Sequence, residues 1–130
     1  MASKDTYDNI KVASTVVPAV NAGNVTGTTV DTAGFESATL VVNVGAVAGS
    51  GNVTLKLQHS DTTVDGDFVD VPAAQLLGTI PAALVASTIY KQGYLGAKRY
   101  VRAKGTLNSG TSVAYSAEFA LGHARSKPVA

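Results

Sequence analysis

The chain has 130 residues, 45% of them hydrophobic and only 15% charged, and its ten basic and nine acidic side chains leave a net charge of +1. That length holds one domain with a real core, and the near-neutral balance argues against a general nucleic-acid binder, which carries a clear basic excess. The absence of cysteine removes a disulfide framework and a thiolate metal site. No run approaches the ~20 apolar residues of a membrane span, and Met1 to Asp5 lacks the apolar core of a signal peptide. A protein made in the cytoplasm is expected, soluble alone or within an assembly. Eighteen valines, fourteen threonines and thirteen glycines favour strands and turns over helices.

Residues 1 to about 9 are polar and expected to fray. Ile10-Lys11-Val12 opens an apolar segment reaching Val20, which Pro18 excludes from a central strand because proline cannot donate to the ladder. Asn21 to Gly27 is rich in turn formers. Residues 1–27 therefore read as an N-terminal arm, either a flexible leader or a segment that orders when it clasps a neighbouring subunit.

Strand signals recur from Thr28 onward. Thr28 to Thr32 is short, and Ala33-Gly34 turns the chain. Ser37 to Val44 carries the continuous apolar run Leu40-Val41-Val42 and is expected to be buried on both faces. Across a Gly-rich loop, Asn52 to Ser60 alternates cleanly, with Val53, Leu55, Leu57 and His59 on one face. The two segments together read as a hairpin. A polar turn with Asp61, Asp65 and Asp67 leads to a strand at Phe68 to Val71. Residues 73–86 are Ala- and Leu-rich, but Gly78 and Pro81 break any helix, leaving short strand and loop pieces. Ser87 to Leu95 and residues 98–104 are further strands. After the turn at Leu107 to Gly110 comes the clearest alternation: Val113, Tyr115, Ala117, Phe119 and Leu121 inward, Ala114, Ser116, Glu118 and Ala120 outward. Residues 123–130 form a short tail. Seven or eight short strands between turns predict an all-β single domain over residues 28–122, a sandwich or a barrel.

The candidate surface is Tyr94 to Lys104, which holds two tyrosines, four of the ten basic residues and no acid. Strand periodicity puts Tyr100, Arg102 and Lys104 on one face and Arg99, Val101 and Ala103 on the other. Tyrosine and arginine are enriched at interface hot spots, so Tyr94, Lys98, Arg99, Tyr100, Arg102 and Lys104 are expected protein-interface residues. Asp61, Asp65 and Asp67 join them, because the acids cluster within 61–70 and the cations within 91–104. A head-to-tail contact between subunits would bring the two clusters together. Calcium would suit oxygen ligands in that Asp-rich loop, but the spacing is not that of an EF-hand, and tight turns select the same residues. His59 and His123 without cysteine do not make a zinc site, and no nucleophile-elbow motif appears. No metal, cofactor or catalytic residue is expected.

Several of these segments resemble a group of small virion structural proteins of tailed bacteriophages: Gln58-His59-Ser60-Asp61, Phe68-Val69-Asp70-Val71, Gly93-Tyr94-Leu95-Gly96 and Lys98-Arg99-Tyr100-Val101-Arg102. Within that group the chain is similar to the jelly-roll capsid decoration, or cement, proteins, over roughly residues 37–122. The resemblance implies a jelly-roll-like β-sandwich that binds the outer surface of an icosahedral head. There it would stabilise contacts between major capsid subunits, as a dimer or trimer of itself. It implies a virion location, no nucleic-acid or membrane partner, and no catalytic residues. The alternatives are another tailed-phage component of the head completion, neck or tail, and a sugar-binding β-sandwich module. The scarcity of aromatics, with no tryptophan and five tyrosines, disfavours the last of these.

Overall fold

Alternation of apolar and polar side chains, together with abundant β-branched residues, makes extended structure the favoured state of most of this chain. A computed structural model describes residues 9–124. Ten strands follow in order: β1 (Lys11–Asn21), β2 (Val25–Thr26), β3 (Val30–Asp31), β4 (Phe35–Ala48), β5 (Asn52–Ser60), β6 (Val69–Asp70), β7 (Leu76–Leu77), β8 (Ile89–Tyr94), β9 (Tyr100–Ser109) and β10 (Ser112–Ala124). Two short 3₁₀ turns, Asp65–Asp67 and Ala73–Gln75, interrupt the loops. The first sheet has the order β1-β10-β4-β8-β7; the second has β2-β9-β5-β6, with β3 also paired to β9. All the pairings are antiparallel. The protein is an all-β, two-sheet sandwich.

The core lies between the sheets. From β10 it takes the five residues expected to face inward, all buried, and from β4 it takes Ala38, Leu40, Val42 and Val44. Val53, Leu55 and Leu57 of β5 and Val101 and Ala103 of β9 close it from the other side. Phe119, Leu40 and Leu121 are the largest of the fully buried side chains. Val41 is only partly buried. β4 is thus an ordinary one-sided strand, and the run Leu40-Val41-Val42 does not mark burial on both faces.

Two expectations are corrected by the topology. First, Ser37 to Val44 and Asn52 to Ser60 do not form a hairpin, because β4 and β5 belong to different sheets. The Gly-rich loop carries the chain from one layer to the other. Gly49 and Ser50 both take positive φ there, and a Cβ on Gly49 would collide with Thr111. The loop packs against the β9–β10 turn, which crosses the gap in the opposite direction.

Second, much of the segment 1–27 is not an arm. β1 and β2 belong to this chain's own sheets, so the sandwich begins at Lys11. Pro18 is tolerated because β1 is the edge of the first sheet, with register breaks between Ser14 and Val16 and between Val16 and Ala19. The physical anchor is Thr15, which is buried. Its hydroxyl donates to the Thr28 carbonyl at 2.8 Å and accepts from the Ala103 amide at 3.1 Å, tying the edge of one sheet to the other. Gly27 makes that approach feasible: its amide donates to the Ala103 carbonyl at 2.7 Å, and a Cβ would lie 2.9 Å from the Thr15 carbonyl oxygen. The expected fraying of residues 1 to about 9 falls on a segment of which only Asn9 is described, and of the expected tail over 123–130 only His123 and Ala124, which belong to β10, are described.

Candidate functional site

β9 alternates as expected: Val101 and Ala103 point into the core, and Tyr100, Arg102 and Lys104 lie on the outer face of the second sheet. In register beside them are Ser60, Gln58 and Lys56 of β5, and beyond Gln58 is Asp70 of β6. Arg102 is nonetheless buried, because the 61–68 loop folds over it and the Phe68 ring lies under its guanidinium at 4.1 Å. Its Nε donates to Gln58 Oε1 at 3.0 Å and its Nη1 to Asp65 Oδ1 at 2.6 Å. Gln58 in turn donates to Asp70 at 2.9 Å, and Lys56 reaches the same carboxylate at 3.4 Å.

The acidic and basic clusters meet inside one subunit. Lys98 pairs with Asp61 at 2.9 Å. Arg99 forks onto both oxygens of Asp31, at 2.8 and 2.7 Å, with its guanidinium also 5.0 Å from the Tyr100 ring. Asp67 accepts from the Thr62 hydroxyl at 2.6 Å. The carboxylates of the 61–70 segment thus go to separate partners, and no group of three or more candidate metal ligands occurs among the described residues. The guanidinium hydrogen bond from Arg99 holds the Asp31 carboxyl below the usual range, and Arg102 does the same for Asp65. For Asp70 the main cause is the Gln58 amide. Asp61 raises the pKa of Lys98, and Asp31 raises that of Arg99. Exposed pairs of this kind add little stability. Their effect is to fix loop geometry.

Tyr94 is a buried post, not an exposed contact. Its hydroxyl lies 2.7 Å from His59 Nδ1 and accepts from the Lys98 amide at 3.1 Å, and the two rings meet edge to face. With the Lys98 amide donating to its oxygen, the phenol has its own proton to give, and a neutral His59 imidazole offers Nδ1 as the acceptor. Burial raises the Tyr94 pKa and, with Lys98 as a smaller cause, lowers that of His59. Gly96 completes the arrangement, since a side chain there would strike the Tyr94 ring. The sequence marked His59 as a core-facing residue, but its partner, 35 residues away, had no local signal.

Protonation of His59 should therefore be a measurable cost. An unfolded histidine takes up its proton near pH ~6.5, while the folded one resists to lower pH. The unfolded state binds more protons between those two values, so stability is full above pH ~6.5 and is lost as pH falls through the window. Melting temperatures measured from about pH 7.5 down to about pH 5 should decline, and His59→Asn should flatten that part of the profile. An equal slope in the variant would contradict the assignment.

A cleft of about 480 Å³ opens between the β3–β4 turn and the β8–β9 connection, lined by Thr32, Phe35, Ser37, Tyr94 and Lys98 among others. Near it the Ser37 hydroxyl lies 2.9 Å from His123 Nδ1, a contact joining the start of β4 to the end of β10 that sequence reading did not anticipate. The outer face of the first sheet contrasts with the charged second sheet: small and aliphatic residues dominate its centre.

The fold and this surface define a two-sheet all-β protein whose charged loops are bonded to one another. No family model matches the chain, and no curated protein is found to match it. No helix among the described residues is long and apolar enough to cross a membrane.

Proposed function

We propose that this protein is a bacteriophage capsid decoration protein with a jelly-roll fold, binding the outer surface of an icosahedral head and bracing contacts between major capsid subunits. The observation that carries the reading is the nesting of its strand pairs. β1 pairs with β10, β2 and β3 with β9, β4 with β8, and β5 with β6. That is the pairing of one long antiparallel hairpin, first with last and inward to the middle. Wrapping such a hairpin brings β10 beside β4 and β9 beside β5, which gives the two sheet orders found and is how a jelly roll is built.

A second support comes from the segments that carry the phage resemblance. They lie far apart in sequence yet form one bonded unit: Gln58 to Arg102, His59 to Tyr94, and Asp61 to Lys98. A rigid block with preset loops suits attachment at many equivalent positions on a shell, where repeated modest contacts add up. Virion location and a capsid-protein partner follow from this reading.

Mixing the purified protein with expanded and unexpanded heads of its phage, then sedimenting them, tests the proposal. Binding that saturates at a fixed copy number on expanded heads is expected. Failure to bind any head, with rings or tubes forming from the protein alone, moves the assignment to a neck or tail component.

A further inference from the structure

The outer face of the first sheet is laid out evenly about its central strand. β4 is the middle of five strands, with β10 and β8 on its flanks and β1 and β7 at the edges. One row across the sheet reads Val12, Ala120, Thr39, Gly93, Leu77. Its two ends are aliphatic and well exposed, Val12 at 60% and Leu77 at 58%, and its centre is small. The next row reads Ser14, Glu118, Val41, Lys91, which places one acid and one base on either side of the central strand. Among the described residues neither Glu118 nor Lys91 has an ion-pair partner.

We infer that this face packs against the same face of a second copy of the chain, about a twofold axis lying in the contact plane along β4. Such an axis exchanges β10 with β8 and β1 with β7. Glu118 of each copy then faces Lys91 of the other, twice, over a centre of Val41 against Val41. Val12 meets Leu77 at both rims, and the Ala120 methyl meets Gly93, whose bare Cα is flanked by the Leu77 side chain. Two-fold contacts are self-complementary by construction, and aligned sheets pack about 10 Å apart with such small faces. A face with an opposite-charge pair straddling its midline fits a copy of itself better than a partner of single charge sign.

The inference concerns the free protein and does not rest on the shell-binding reading. Sedimentation equilibrium of the full chain should show a concentration-dependent dimer. Glu118→Lys or Lys91→Glu alone sets like charges against each other at both contacts and should weaken dimerisation at least tenfold. The double swap E118K/K91E restores opposite charges and should recover it. Leu77→Lys, at the rim, should weaken the dimer without any change at the charged pair. Of the three positions, Lys91 and Leu77 are exposed and Glu118 is half-buried, and unchanged melting of the monomer confirms that folding is intact. A monomer at every accessible concentration overturns the inference. So does an oligomer of any size that the single swaps leave unaltered or the double swap fails to rescue.

Discussion

Arg102→Glu should destabilise the free chain by about 3 kcal/mol, lowering its melting temperature by roughly 10 °C. The reason is the environment of the guanidinium. The Arg102 side chain is 7% exposed, while its partner Asp65 is 82% exposed. A carboxylate in that place would be buried over the Phe68 ring, opposite the Gln58 carbonyl oxygen and beside the Asp65 carboxylate. All three contacts that now favour the cation would oppose the anion. Arg102→Met keeps an aliphatic stem on Phe68 and loses the hydrogen bonds, so it should cost less, about 1–2 kcal/mol. Asp65→Asn, at an exposed position, should change little. Equal stability of wild type and Arg102→Glu by thermal or urea unfolding would show that the 61–68 loop is not held by this residue. The cost arises within one subunit, so it should appear in dilute protein.

Phe119→Ala should have the larger effect, about 3–5 kcal/mol, or roughly 10–20 °C in melting temperature. Phe119 is fully buried on β10 and sits in register between Ala13 of β1 and Leu40 of β4. The backbone of three paired strands keeps the site from collapsing around the missing ring, so most of the cavity persists. Domains of this size have total stabilities of only about 5–15 kcal/mol, so the variant would be close to unfolding at physiological temperature. A loss below about 1 kcal/mol would mean that the sheets do not meet at this point.

What the sequence revealed depended on how local each signal is. The inward set of β10 was legible because a period of two over nine residues has one structural meaning. The strand character of β9 was legible for the same reason, but the burial of Arg102 was not, since it comes from Phe68 in a distant loop. The β4–β5 connection misled because a short Gly-rich loop serves a hairpin and a crossing between sheets equally well. β1 was missed because only Thr15 and Val16 of its eleven residues are buried, which leaves almost no alternation to read. The charge clusters were visible, yet their pairing was not. Asp31 with Arg99 and Asp65 with Arg102 are joined across 68 and 37 residues, and charge segregation alone does not distinguish partners in one subunit from partners in two.

The central proposal concerns the shell, and its most direct measurement is calorimetry of expanded heads with and without saturating protein. A decoration protein that bridges neighbouring capsid subunits binds the assembled shell and not the dissociated one. By linkage it must then raise the shell's melting temperature, increasingly with free protein concentration. The account predicts that rise, with saturation at a fixed copy number. An unchanged shell transition at concentrations that cover the heads would contradict it.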